Sequence, residues 1–174
     1  DVYQWLFNGM RQFIPAAILF ACIGLILKKK YILLIIIILL VSTIHLSALL
    51  MIPCIFIVQG KPWNKKTMLF LVAVVVIILF VDRFTDVLET LLADTQYDDV
   101  TEQFQYDDGT NLLRVLVYSV PPVLALIGRK QIEKMNSPII NLSINMSIVS
   151  MGIYIVSMFT SGIYIGRLPI YFSL

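Results

Sequence analysis

Long apolar runs, separated by short polar stretches, dominate this chain of 174 residues. Five of them are long, and a sixth begins near Ile163; the five are Phe13–Leu27, Tyr31–Val58, Met68–Val81, Leu112–Gly128 and Ile139–Phe159. Runs of this kind are typical of helices that cross a bilayer. The pattern therefore predicts an all-α fold, a polytopic transmembrane helical bundle with no free-standing soluble domain.

The composition agrees with this interpretation, because 59% of the residues are hydrophobic and 14% are charged. A soluble domain usually carries about 25% charged residues. The chain starts at Asp1 instead of Met and ends in the apolar stretch Pro169–Leu174. We therefore expect residues 1–174 to be a single transmembrane domain, a fragment of a longer membrane protein.

All lysines fall in three clusters between the apolar runs. The clusters are Lys28–Lys30, then Lys61 with Lys65 and Lys66, and finally Lys130 with Lys134. Cytoplasmic loops are enriched in Lys and Arg. All three clusters are therefore expected on the cytoplasmic side.

The run Tyr31–Val58 separates the first two lysine clusters and must be reconciled with that expectation. As one helix it would be roughly 42 Å long, beyond the roughly 30 Å hydrocarbon core, and its ends would lie on opposite sides. A hairpin that turns near Ser42–Ser47 has arms of about 20 Å and returns the chain to the same side. We favour the hairpin; the alternative is one long helix, and Pro53 fits either as a kink.

The stretch Asp82–Asp108 holds nine of the eleven acidic residues. It lies in residues 82–111, which are predicted to form an extracellular loop. Its first part shows helical spacing of apolar residues and predicts an amphipathic surface helix; these residues are Phe84, Val87, Leu88, Leu91 and Leu92. The loop could bind a divalent cation, but no calcium-loop spacing is present, so a solvated loop without metal is favoured.

Small and polar residues form one stripe of the run Ile139–Phe159. Asn141, Asn145 and Gly152 share this stripe. Such spacing usually marks a seam between helices. This run is therefore expected to pack closely against its neighbours.

Four of the five arginines, Arg11, Arg83, Arg114 and Arg167, fall on the outer face in this topology. Arginines on the outer face run against the positive-inside bias, so their presence there needs another explanation. The planar fork of Arg binds phosphate at two points, which would suit a lipid-linked pyrophosphate. The alternative for two of them is ion pairing, of Arg83 with Asp86 and of Arg114 with Asp107 or Asp108.

The only histidine, His45, lies at the proposed hairpin turn. It could act as a general acid or base, or donate a hydrogen bond to a phosphate. The alternative is a hydrogen-bonded turn residue without a catalytic role. Gln12, next to Arg11, extends the polar surface at the start of the first helix.

Several short motifs occur in a recognisable order along the chain. They are Asn8-Gly9-Met10-Arg11-Gln12, Lys28-Lys29-Lys30, His45-Leu46-Ser47-Ala48, Asp108-Gly109-Thr110-Asn111-Leu112-Leu113-Arg114, and Gly166-Arg167 ahead of Tyr171-Phe172. This order resembles the EpsG family of bacterial membrane proteins, which is similar to Wzy-type polysaccharide polymerases. The resemblance covers most of the chain.

The resemblance implies an enzyme of the bacterial inner membrane that polymerises exopolysaccharide or capsular repeat units. Its substrate would be an undecaprenyl-pyrophosphate-linked oligosaccharide, transferred to another lipid-linked unit at the outer leaflet. Membrane lipid and other polysaccharide-assembly proteins are the expected partners, and nucleic acid is not. By resemblance, recurring polar positions of the family are matched by Arg11, Gln12, His45, Arg114 and Arg167.

The expected site combines substrate-binding and catalytic residues and uses no cofactor or metal. Substrate binding is assigned to Arg11, Gln12, Arg83, Arg114 and Arg167, and the catalytic base to His45, Asp107 or Asp108. Alternative functions are another polyprenyl-phosphate-dependent glycosyltransferase, an O-antigen ligase, a transporter or flippase of the lipid-linked sugar, and a non-catalytic scaffold. A transporter should instead carry polar residues near the bilayer midplane.

Overall fold

The computed structural model describes residues 2–92, 109–162 and 164–172. It is 82% helical and contains no strand in those ranges, so the all-α prediction is confirmed. The α-helices are α1 Val2–Ala21, α2 Ile23–Leu27, α3 Tyr31–Ser42, α4 Met51–Ile57, α5 Lys65–Leu79, α6 Val81–Leu92, α7 Leu112–Ile127, α8 Arg129–Met135 and α9 Pro138–Met158. Two 3₁₀ helices, η1 Leu46–Leu50 and η2 Ile165–Phe172, complete the described fold.

Helix α9 is the centre of the structure. Ser137 caps its N-terminus and Pro138 occupies the first turn, where a missing N–H costs nothing. Along its length it packs against α5, α7 and η2. Asn145 is fully buried, and a Cβ on Gly152 would come within 2.5 Å of the Phe70 ring of α5. The predicted helix seam is therefore confirmed.

The run Tyr31–Val58 folds as the predicted hairpin. Helix α3 ends at Ser42, and the chain turns before η1 and returns through α4. The two ends of the hairpin meet, because the Tyr31 hydroxyl donates to Gln59 Oε1 at 2.9 Å and the Tyr31 and Phe56 rings lie 5.9 Å apart. A single long helix is excluded by these contacts.

Helix length limits which elements could cross a membrane. Among the described residues, only Pro138–Met158 is by itself long and apolar enough, and up to three spans result if each bent helix pair counts as one. The bent pairs are α5 with α6, at 95°, and α7 with α8, at 75°. The final apolar segment is 3₁₀ helix instead of a further span, and it packs back onto α9 and α1.

Apolar side chains cover much of the outside of the helices. Ile32 of α3, Leu69 of α5 and Leu113 of α7 are among many large hydrophobic side chains with more than half of their surface exposed. A soluble protein rarely exposes apolar surface on this scale. The outer surface of the helices is therefore suited to contact with lipid.

The amphipathic helix predicted at the start of the acidic loop is α6. Phe84 and Leu88 pack against the hydrophobic core, whereas Asp82, Arg83 and Asp86 are exposed. Val87 and Leu91, predicted on the apolar face, are also exposed. The rest of the acidic stretch, residues 93–108, lies outside the described residues.

Candidate functional site

A buried amide connects the first helix to the last described segment. Gln12 of α1 is 5% exposed, and its Nε2 donates to the backbone oxygen of Arg167 at 3.2 Å across 155 positions of sequence. This contact fixes the middle of α1 against η2. It also brings Arg11, which is exposed, and Arg167, which is half-buried, to the same end of the protein.

The hairpin turn joins this end through a chain of hydrogen bonds. His45 lies in the turn in an extended backbone conformation, outside the helical segments. Its Nδ1 is 2.7 Å from Ser47 Oγ, which is 2.9 Å from the Tyr171 hydroxyl of η2. If Ser47 donates to Nδ1, Tyr171 donates to Ser47 and the proton of neutral His45 sits on Nε2.

Two positive charges act on the imidazole. Burial lowers the pKa of His45 below its usual value of 6.5, and the charges of Arg11 and Arg167 lower it further. Each effect disfavours the imidazolium form, so His45 is neutral at pH 7. We refer to Arg11, His45 and Arg167 as the arginine–histidine cluster.

The arrangement suits one kind of chemistry. Arg11 forms no ion pair with any carboxylate of the described residues, and its guanidinium is exposed. A guanidinium fork binds the oxygens of a phosphate in two-point geometry. A neutral imidazole beside such an anion can accept a proton, so the cluster combines an anion site with a base.

A short strap, Gly109-Thr110, brings α7 to the same end. The Thr110 N–H donates to the Ser157 backbone oxygen at 3.1 Å, and the hydroxyls of these two residues are 2.7 Å apart. A Cβ on Gly166 would lie 2.6 Å from Thr110 Oγ1, so the strap packs directly beside the residue that precedes Arg167. Arg114 follows on the first turn of α7 and is exposed at this end.

The other predicted site residues are Arg83, which lies apart from the cluster, and two aspartates outside the described residues. Arg83 Nη1 lies 3.8 Å from Asp86 Oδ2, and both side chains are largely exposed, so the alternative of ion pairing is present in weak form. In the described part of the chain, no hydrogen bond or ion pair links Arg83 to the cluster. Asp107 and Asp108 lie outside the described residues, so their predicted catalytic role stays a prediction.

Ser47 and Tyr171 hold His45 but were not predicted as site residues. Ser47 was visible in the sequence as a neighbour of His45, and Tyr171 as part of the motif that follows Gly166-Arg167. Their contact spans 124 positions of sequence. The spacing of residues along the sequence does not predict a hydrogen bond between such distant positions, so this contact is seen only in the folded structure.

The comparisons with known proteins give one match. The model of the EpsG family matches residues 2–174, essentially the whole chain. No curated protein and no solved structure matches. The family expected from the order of the motifs is therefore confirmed.

Proposed function

Because the chain belongs to the EpsG family, it is a membrane protein of exopolysaccharide biosynthesis, and we propose that it polymerises lipid-linked repeat units. In this proposal the growing glycan leaves an undecaprenyl-pyrophosphate carrier and joins the sugar of a second lipid-linked unit at the outer leaflet. The convergence of Arg11 and Arg167 on His45 carries the proposal, since three distant segments supply an anion site and a base.

In this reaction the acceptor hydroxyl must lose its proton while the leaving pyrophosphate gains negative charge. A hydroxyl oxygen of the acceptor sugar forms a bond to the anomeric carbon of the donor sugar. The bond from that carbon to the pyrophosphate oxygen breaks, and the pyrophosphate leaves with the electron pair. The proton of the acceptor hydroxyl passes to the base, for which neutral His45 is the candidate.

The arginines supply the electrostatic part of this step. Negative charge grows on the pyrophosphate as the bond breaks, and preorganised cations stabilise it in the transition state. The bond from Gln12 to the Arg167 backbone holds η2 in place without using the guanidinium. Arg114, at the same end, is assigned to the outer part of the same substrate. Arg83 is retained as a substrate contact only because it is one of the arginines expected on the outer face.

The test replaces each arginine by lysine in cells that carry the full protein. Arg11→Lys and Arg167→Lys keep the charge but lose the fork, so polymer synthesis should fall by roughly ten- to a hundredfold, the effect of one charge-assisted contact. Arg129→Lys is the matched control, because Arg129 begins α8, beyond the far end of α7, and pairs with Glu133 at 3.4 Å. Normal polymer from both test variants, at equal protein levels by immunoblot, would refute the proposal.

A purified-protein assay separates polymerisation from the alternatives. With lipid-pyrophosphate-linked repeat units as the only substrate, a polymerase releases undecaprenyl pyrophosphate and forms lipid-linked dimers and longer products. A transporter or flippase forms no covalent product. A ligase or a glycosyltransferase of another type requires a different acceptor or donor, so it forms no dimer in this mixture.

A further inference from the structure

A cavity of about 660 Å³ lies at the opposite end of the bundle from His45. Its lining includes four lysines from two of the sequence clusters, Lys29, Lys61, Lys65 and Lys66. The third cluster is close by, because Asn136 also lines the cavity two residues after Lys134. We call this space the lysine cavity.

Buried hydrogen bonds define the shape of the lysine cavity. The fully buried Asn145 donates through Nδ2 to the backbone oxygens of Val58 at 2.9 Å and Gly60 at 3.1 Å. Asn64 caps α5 and also donates to the oxygens of Gln59 and Lys61. The loop that carries Lys61 is therefore held in one conformation by the core.

Residues with left-handed backbone also lie around the same cavity. In the described part of the chain, the non-glycine residues with positive φ are Lys29, Trp63 and Asn136, at 55°, 54° and 43°. Two of them line the cavity and the third lies in the loop between Lys61 and Asn64. At Lys29 and Asn136 this conformation ends a short helix, as left-handed residues commonly do, and it turns the chain at the edge of the cavity.

The charge inside the lysine cavity is not neutralised by the lining. No Asp or Glu lines it, and Lys29, Lys61 and Lys65 form no ion pair with a carboxylate of the described residues. Glu133, from the third cluster, is engaged by Arg129. Lys66 donates to the Phe56 backbone oxygen at 3.1 Å, which leaves three lysines facing the space without a defined partner in these ranges.

An apolar groove continues from the lysine cavity along α3. It measures about 480 Å³ and shares Lys29 and Tyr31 with the cavity. Beyond these residues it is lined by Lys30 at its mouth and by the apolar side chains of Ile32, Leu33 and Ile36. The two spaces together place concentrated positive charge beside a shallow apolar groove on the outer surface of α3.

We propose that the lysine cavity binds the phosphate headgroup of an anionic phospholipid, with an acyl chain lying in the groove along α3. Lysine ammonium groups attract anionic headgroups at the membrane surface. The groove accepts a hydrocarbon chain, which a free phosphate does not have. This site is independent of the proposed polymerase chemistry, because it lies at the other end of the bundle.

The general enrichment of lysine in cytoplasmic loops does not explain all of these observations. The positive-inside bias requires charges in loops on one side of the membrane. It does not require that lysines from two clusters share one cavity, or that a buried Asn145 holds the loop that carries Lys61. A headgroup site accounts for both observations.

The test measures lipid binding to the purified full chain by native mass spectrometry in detergent. Dioleoylphosphatidylglycerol should bind more tightly than zwitterionic dioleoylphosphatidylcholine. Replacement of Lys61 and Lys65 by Gln should weaken phosphatidylglycerol binding about fivefold for each lysine, or about 25-fold together. The matched control removes two charges from the same end but outside the cavity, as Lys130→Gln with Lys134→Gln, and should bind nearly as the wild type does.

Three results would overturn the proposal. Equal binding of the two lipids would remove the requirement for an anionic headgroup. Equal losses in the cavity and control variants would show a general surface-charge effect. Inorganic phosphate that competed as effectively as the lipid, mole for mole, would remove the role of the acyl groove. The four Gln substitutions are at exposed positions, and a gel-filtration profile identical to the wild type shows that folding is retained.

Discussion

The two ends of the bundle are both cationic, but they are built differently. At one end, Arg11 and Arg167 act on the imidazole of His45, and Ser47 and Tyr171 hold that imidazole by hydrogen bonds. At the other end, lysines surround an open cavity that contains no titratable partner of opposite charge in its lining. The first end combines cations with a base, whereas the second offers positive charge alone.

This difference follows from the chemistry of the two cations. Arginine offers a rigid planar fork that remains charged, so it can hold a pyrophosphate in a defined position. Lysine is a compact charge on a flexible stem, which suits attraction of a headgroup without fixed geometry. Whether a cation near an apolar helix is Arg or Lys therefore indicates the kind of ligand it would bind more clearly than its positive charge does.

The largest expected effect is an all-or-none difference in labelling between the ends. In a protein whose Cys22 and Cys54 are replaced by Ala, a cysteine at Lys61 should be shielded from an impermeant reagent in intact cells. A cysteine at Arg83, on the exposed face of α6, should react. The reason is that lysine-rich loops are retained on the cytoplasmic side.

Permeabilised cells provide the control for this labelling experiment, since both positions are exposed and should then react. Reaction of position 61 from outside in intact cells would reverse the orientation of the two ends. The arginine–histidine cluster would then face the cytoplasm, and polymerisation at the outer leaflet would be excluded.

The next effect concerns His45, the proposed base at the arginine–histidine end. His45→Gln keeps a neutral hydrogen-bonding side chain but cannot take up a proton. Loss of a general base typically costs about 10²–10⁴-fold in rate. Polymer yield from the purified protein and lipid-linked repeat units should fall accordingly, while Lys130→Gln at the other end should leave it near wild type.

Retention of full activity by His45→Gln at normal protein levels would remove the catalytic role of His45. It would leave the base to Asp107 or Asp108. Variants Asp107→Asn and Asp108→Asn then become the decisive measurement. In either case the arginine test is unaffected, because it concerns the leaving pyrophosphate.

Much of the fold could be predicted because its elements follow local rules. Apolar runs predicted the helices, and the hairpin followed from the requirement that lysine clusters share one side. Helix lengths were less predictable, since the bend between α7 and α8 depends on how the chain leaves the core. The fold of Ile165–Phe172 as a 3₁₀ helix packed on α9 has no periodic signature of its own.

The site was predictable in its residue types but not in its connections. Arg11, His45 and Arg167 stood out because cations and a lone histidine are unusual beside apolar helices. The bonds that unite them, from Gln12 to the Arg167 backbone and from Ser47 to Tyr171, join segments more than 100 residues apart. The spacing of apolar residues along a helix predicts which face of the helix is buried. It does not predict which distant element packs against that face.

A smaller effect distinguishes the two ends by stability. Gly109, at the arginine–histidine end, has φ 71°, and a Cβ there would lie 2.5 Å from the Met158 backbone oxygen. Gly60, at the lysine end, has φ 95°, but its Cβ would meet only Asn64 Nδ2 at 3.4 Å. Gly109→Ala should therefore lower stability by about 2–5 kcal/mol and Gly60→Ala by about 1–2 kcal/mol.

Thermal unfolding in detergent, followed by tryptophan fluorescence, measures this difference. Gly24→Ala is the control, because no atom lies within 4 Å of its added Cβ and its backbone is not in the left-handed region. Equal losses at Gly60 and Gly109 would mean that the strap does not pack tightly on the end of α9. The placement of Arg114 at the same end as the cluster would then lose its support.

The smallest expected effect is a shift in the pH dependence of polymerisation. Because the pKa of His45 lies below 6.5, its neutral form persists into acid, and activity should fall only as the pH drops through that lowered pKa. Arg11 contributes to the lowering, so removing its charge raises the pKa of His45. In Arg11→Gln, the acid limb of the residual activity should therefore move to higher pH.

An Arg→Gln substitution at the other end of the protein distinguishes a local effect of charge on the pKa of His45 from a general one. Arg129→Gln also removes one positive charge, but Arg129 is not among the groups that lower the pKa of His45. Its acid limb should coincide with that of the wild type. If Arg11→Gln reduced activity without moving the limb, Arg11 would bind substrate while a group other than His45 served as the base. If both variants moved it equally, the two ends would be electrostatically equivalent, and the distinction between a reactive arginine end and a lipid-binding lysine end would fail.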